Sequence, residues 1–219
     1  MTDATRPRVY VFYDYSCPYA YVGNLRAKRL AAELSLEVVH LPWEIHPTTA
    51  AAGEPRVSPR ATGWVDTLAA EVGGKLGFPD RHPNTNLALR GAEYAKDQGA
   101  FAAYHKGCFE AFWSQASDIS DERVLADVAK AAGMDPVAFL KGIRHQAYQA
   151  RLDEIDRFAT KLGVQRVPTF VFGDQRIVGN DRFEPSLRQP LKAFLERWGE
   201  FGDDSTTTLE EDVGLEVLL

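Results

Sequence analysis

Cysteine is almost missing from this chain: its 219 residues contain two, Cys17 and Cys108. Two cannot build the disulfide framework of a small secreted domain, and free thiols fit a reducing cytoplasm, which is the expected location. The five histidines are scattered, with no Cys/His run at metal-ligand spacing, so no metal site is expected. Long apolar runs are lacking as well, and none approaches the roughly 20 residues of a membrane-spanning helix. The opening Met1-Thr-Asp-Ala-Thr-Arg-Pro-Arg8 has no apolar segment of a secretory signal. Positive charge is not in excess. The net charge is −6, and seven acids (Glu200, Asp203, Asp204, Glu210, Glu211, Asp212, Glu216) fall in residues 200–219, where there is no Lys or Arg. The body that precedes them is close to neutral and carries no basic stripe for nucleic acid. Internal repeats are also absent.

The richest stretch is Val9-Tyr-Val-Phe-Tyr-Asp-Tyr-Ser-Cys17-Pro18-Tyr19-Ala20-Tyr21-Val22-Gly23. A β-rich run ends at Asp14 and Ser16, and a helical segment follows to about Leu34. Proline is favoured at the first helical position, which puts Cys17 at the N-cap, facing unpaired N–H groups and the positive end of the helix dipole. Such a place can lower a cysteine pKa from about 8.5 to roughly 3.5–7.5 and yield the reactive thiolate. Cys17 is therefore the first candidate for chemistry. The plainer reading is a small apolar residue capping a core strand, the usual fate of a free cysteine.

Leu36–Trp43 is β-branched and roughly alternating, so it reads as a second strand, parallel to the first. After Pro47 the composition turns loop-like. Helical patterns then run over Arg60–Leu76, Asn84–Gln98 and 100–115, where Phe101, Tyr104, Cys108, Ala111 and Phe112 share one apolar face. Ser120 is the expected cap of the next helix and Asp135-Pro136 opens another. Leu152, Ile155, Phe158 and Leu162 lead to a stop at Gly163. Val167-Pro168-Thr169-Phe170-Val171-Phe172-Gly173 and Arg176–Val178 read as an antiparallel hairpin, and a last helix covers about 184–198. The order β-α-β, helices, α-β-β-α is that of an α/β thioredoxin fold with a large helical insertion. The expected division is a discontinuous thioredoxin-like domain (1–50 and 154–200), an all-helical insertion (51–153) and an acidic tail (201–219). Disorder is the default for that tail.

Cys17-Pro18-Tyr19-Ala20 after the first strand, Val167-Pro168-Thr169-Phe170 before the third, and the insertion resemble the DsbA-like thioredoxin-fold family. That group includes cytoplasmic DsbA-like oxidoreductases, kappa-class glutathione transferases and 2-hydroxychromene-2-carboxylate isomerases. Trp43–Pro47, Pro83–Arg90 and Phe112–Asp121 also look like members of the group. Dithiol members carry Cys-x-x-Cys, whose second thiol resolves a mixed disulfide. Here Ala20 takes that place, so no dithiol cycle can run at this site. The segment is instead similar to the isomerase branch's Ser-Pro-Tyr-Ala-Tyr, with Cys17 in place of serine. Gly179-Asn180-Asp181-Arg-Phe-Glu184 resembles the segment that lies by the γ-glutamyl end of glutathione in that branch. The resemblance implies that Asn180 and Asp181 receive the amino end of a thiol tripeptide. It also implies a cis Val167–Pro168 bond packed on Cys17; read alone, the pair is an ordinary trans proline opening an edge strand. In relatives an aromatic or small residue and a glycine often stand where this chain has Gln165-Arg166. Arg166 either attracts an anionic substrate or is a solvated charge.

Other candidates have plainer readings. Cys108 is a core residue or a resolving partner for Cys17. Tyr19 and Tyr21 hydrogen-bond substrate or simply pack, His46 lines the cleft or is structural, and Asp14 is a turn residue or a base. Trp43, Trp64 and Trp113 read as core or interface.

Three functions stand open. The first is a thiol oxidoreductase using one cysteine, Cys17 with Pro18 and Tyr19, and a small thiol such as glutathione as cosubstrate. The second is a glutathione-dependent isomerase or transferase in which Cys17 replaces the activating serine. The third is a non-catalytic binding module. The first two need no tightly bound cofactor, only a small-molecule thiol and a further substrate. A homodimer is implied by the kappa-type resemblance, and neither nucleic acid nor membrane is an expected partner.

Overall fold

The computed structural model describes residues 6–51, 53–55, 67, 70, 73, 76–77, 79–173, 175–179 and 183–201. Most of the helix expected over Arg60–Leu76, Trp64, and residues 202–219 of the tail lie outside the described residues.

Strand β1 (Arg8–Tyr13) is buried from Val9 to Tyr13. A strand covered on both faces loses the polar alternation of a half-exposed one, which explains its continuous apolar run. Pro18 opens helix α1 (Pro18–Leu34), and Ser35 closes it in the left-handed conformation, φ 55°. Strand β2 (Glu37–Pro42) then runs parallel to β1, with Phe12 opposite Leu41.

A short antiparallel ribbon, β3 (Glu54–Pro55) and β4 (Arg81–His82), precedes the helices. These are α2 (Asn86–Asp97), α3 (Phe101–Phe109), α4 (Glu122–Ala131), α5 (Pro136–Ile143) and α6 (Gln146–Lys161). The hairpin β5 (Thr169–Phe172) and β6 (Gln175–Val178) follows, then α7 (Phe183–Phe201). One sheet, ordered β2-β1-β5-β6, takes two strands from each end of the chain, with β1 and β5 antiparallel. This is a thioredoxin fold with its helical insertion between β2 and β5. Among the described residues no helix is long and apolar enough to cross a membrane.

Alternation along β1 divides the core. Val9 and Val11 meet Leu30, Phe170, Phe172, Leu191 and Phe194 on one face. Tyr10 and Phe12 face the inserted helices, with Tyr104, Phe109 and Phe158, and Tyr13 joins that cluster from the strand's end. Each buried Phe stabilises the fold by roughly 1.5–3 kcal/mol relative to exposure. The insertion thus shares one core with the sheet.

Three local features differ from the sequence reading. Ser120 does not cap α4; its hydroxyl accepts the Asn84 N–H at 2.8 Å, and Asp121 takes the cap by accepting from Arg123 N–H. Helix α2 begins two residues after Asn84, with Thr85 at its N-cap and the Thr85 hydroxyl turned elsewhere. Helix α3 does not continue as α-helix to 115. It widens into a π-helical turn, Glu110–Ser114, where Gln115 N–H reaches Glu110 C=O at 3.0 Å. The wide turn lets Trp113 donate through its indole to the Tyr15 carbonyl at 2.8 Å, at the foot of the Cys17 loop.

Candidate functional site

Three segments meet at Cys17. The loop after β1 is an Asx turn in which Asp14 Oδ1 accepts both the backbone N–H and the hydroxyl of Ser16 at 2.7 Å. Cys17 N–H bonds to Asp14 C=O at 3.2 Å, fixing the cysteine as N-cap with Pro18 at the first helical position. Across the sheet, the Val167–Pro168 bond is cis. The Cys17 thiol donates to the Val167 carbonyl at 3.3 Å. Pro168 C=O accepts from Gly179 N–H at 2.8 Å. Helix α1 presses close here, because a Cβ on Gly23 would lie 2.8 Å from Pro168 Cγ.

Cys17 is only 7% exposed. This runs against the acidic thiolate expected from its N-cap position and matches the plainer reading of a buried cysteine at the strand's end. Burial pushes the thiol up to about 12; the Ala20 N–H opposes this, the Asp14 charge adds to it, and the Tyr19 N–H opposes it. Desolvation outweighs the helix end, so the sulfur is a neutral thiol with its proton on Val167 C=O. The sulfur forms no capping hydrogen bond to the helix.

A groove of about 740 Å³ lies against this centre, lined among others by Tyr19, Gln165, Arg166, Val167, Arg176 and Gly179. Arg166 and Arg176 are exposed there, and the Arg176 guanidinium also donates to Leu162 C=O. The structure therefore brings together Cys17, Pro18, Tyr19, Val167 and Pro168. Asn180 and Asp181 lie outside the described residues; Gly179, just before them, is bonded to Pro168.

The other candidates separate. Cys108 is fully buried on α3, its thiol also raised to about 12 by burial, and both cysteines are free. Tyr21 is buried, with its hydroxyl 3.5 Å from Ser114 Oγ. His46 is exposed and edge-on to His82. Trp43 donates to Asp156 at 2.9 Å and Trp113 is core. Among the described residues no group of three or more His, Cys, Asp or Glu could hold a metal ion. Thr85 and Ile45, which bond to Asp14, were not legible as site residues, since their partner lies 71 and 31 positions away.

The chain is 28% identical over 196 residues to YwbO, an uncharacterized protein of Bacillus subtilis, covering 83% of this chain and 96% of that one. It is 27% identical over 179 residues to the 2-hydroxychromene-2-carboxylate isomerase of Pseudomonas putida, covering 78% of this chain and 88% of that one. A solved structure from Streptomyces coelicolor, described as a probable DsbA oxidoreductase, shares the fold with a TM-score of 0.76, 24% identity, and coverage of 89% and 91%. The family described as the DSBA-like thioredoxin domain matches residues 8–189, spanning the Cys17 loop, the insertion and the Val167–Pro168 pair, and the chain belongs to that family.

Proposed function

We propose that this protein is a thiol-dependent isomerase or transferase. A small anionic thiol such as glutathione binds in the groove beside Val167–Pro168. The observation that carries the reading is the buried, protonated Cys17, already a hydrogen-bond donor and with Ala20 where a resolving thiol would stand. A bound thiol would supply the nucleophilic sulfur. The chain's part is to hold and polarise it: the Cys17 S–H turns from Val167 C=O to the incoming sulfur and stabilises it as thiolate. The groove suits such a ligand in charge, because Arg166 and Arg176 line it and offer partners for carboxylates. The Pseudomonas putida relative, an isomerase, supports the same direction.

A second reading rests on the Tyr19 and Ala20 N–H groups, which favour a thiolate at Cys17. In it Cys17 attacks a disulfide, releases one half as thiolate and is itself freed by a second small thiol. Both readings suit a reducing compartment, where we place the protein.

Calorimetric titration with glutathione, followed by conjugation and isomerisation assays of Cys17→Ser, separates the two. Binding with retained activity in Cys17→Ser supports the first reading. Loss of all turnover in Cys17→Ser, together with a mixed disulfide on Cys17 in the wild type, supports the second. Absence of any glutathione binding overturns the first.

A further inference from the structure

We propose that Asp14 is a positioning residue. Its buried carboxylate clamps the Cys17 loop to the inserted helices through Ile45 and Thr85, and sets the negative field in which that sulfur works. The proposal deepens the reading of the Cys17 site.

Asp14 is fully buried. A carboxylate accepts hydrogen bonds, and each of the four hydrogen bonds to the Asp14 side chain comes from a donor. Oδ1 takes the Ser16 N–H and hydroxyl, each at 2.7 Å. Oδ2 takes the Ile45 N–H and the Thr85 hydroxyl, each at 3.0 Å. The donors come from three places in the chain: the reactive loop, the segment after β2, and the N-cap of α2. Thr85 gives up capping its own helix to make this bond, since its side chain bonds no helix N–H. A turn residue would need only the Ser16 contacts.

Asp14 bears on Cys17, on Glu44 in the segment after β2, and on the buried Tyr13 hydroxyl. Across the sulfur stand the neutral Val167 carbonyl and the Tyr19 and Ala20 N–H groups. Arg166 and Arg176 line the groove together with Val167 and Tyr19. Asp14 is therefore a buried acidic group near Cys17 that adds to the burial holding its proton in place. Asparagine in its place keeps the shape, removes the charge and turns one N–H pair toward Ile45 or Thr85.

The sign follows directly. Removing a negative charge beside an acid favours its ionised form, so Cys17 becomes more acidic in Asp14→Asn. The experiment is the pH profile of Cys17 alkylation by iodoacetamide, read by mass spectrometry so that Cys108 is counted separately. Asp14→Asn is expected to alkylate about tenfold faster than wild type at fixed pH, with a profile displaced to lower pH. An unchanged profile in a folded Asp14→Asn protein overturns the proposal. Should that variant fail to fold, the wild type still decides: the Asp14 carboxyl ¹³C resonance is expected to move as Cys17 ionises, and to stay still in Cys17→Ser. A resonance indifferent to Cys17 overturns the proposal. Neither readout depends on glutathione, so failure here is distinguishable from failure of the proposed function.

Discussion

The Cys17 thiol donates to the backbone carbonyl of Val167, 3.3 Å away and 150 positions along the chain. It ties the start of α1 to the loop before β5, the two pieces on which the proposed chemistry depends. Cys17→Ser keeps a donor of similar size and is expected to match or exceed wild-type stability. Cys17→Ala strands the carbonyl and is expected to cost about 1 kcal/mol in chemical denaturation. A serine variant as unstable as the alanine one would show that the contact contributes nothing.

Alkaline stability reports on the same burial. Cys17 and Cys108 titrate at about 12 in the folded chain against an ordinary 9.0. A folded pKa above the unfolded one contributes stability that is complete below pH 9 and lost as pH rises toward 12. Thermal melting between pH 8 and 11 is expected to show a falling midpoint, with a shallower fall in Cys17→Ser. Parallel curves would place the Cys17 sulfur in water.

Acid acts on the other end of the core. Burial first, and then the Lys96 charge, lowers His40 to about 3 from an ordinary 6.5. Its folded pKa is depressed, so its contribution is present above pH 6.5 and lost as pH falls toward 3. His105, its ring tilted against that of His40 with centroids 4.7 Å apart, is lowered in the same direction. Replacing His40 with glutamine is expected to flatten the stability profile between pH 6 and 4. A profile as steep as wild type would assign acid unfolding elsewhere.

Gly23 holds the helix close to the Pro168 ring. A methyl group there would meet Pro168 Cγ at 2.8 Å, nearer than real Cβ contacts allow. Gly23→Ala is expected to cost about 1–3 kcal/mol by overpacking and to weaken thiol binding by displacing Val167 from Cys17. Calorimetry on the folded fraction checks both; unchanged affinity would separate the groove from the helix.

Neutralising Arg166 tests the groove's charge. Arg166→Ala is expected to weaken glutathione binding about two- to fivefold at low salt, the range of one exposed ion pair, and the difference should fade in high salt. A salt-independent loss would point to shape instead. Arg176→Ala is a poorer probe, because that side chain also holds Leu162 C=O.

What was readable in the chain and what was not follows physical range. The Asp14-x-Ser16 turn, Pro18 at the helix start and the β5–β6 hairpin are local chemistry and were legible as such. The state of Cys17 was left open between a reactive N-cap and a buried core cysteine, because its contact with Val167 joins segments 150 positions apart. Local reasoning saw the helix end that acidifies a thiol and could not weigh it against the desolvation that overrides it. Ser120 looked like a cap until Asn84, 36 positions away, claimed its oxygen. The π-turn at Glu110–Ser114 was hidden because its apolar residues kept the spacing of an ordinary helix.

The middle of the sheet joins the two ends of the chain, Tyr10 lying opposite Val171. During synthesis the first strand must therefore wait with one flank bare while more than a hundred residues between β2 and β5 emerge. Contacts so far apart in sequence form slowly. Its aromatic side chains are sticky meanwhile, and the inserted helices, which cover the same face, act as the chain's own escort until the last hairpin arrives.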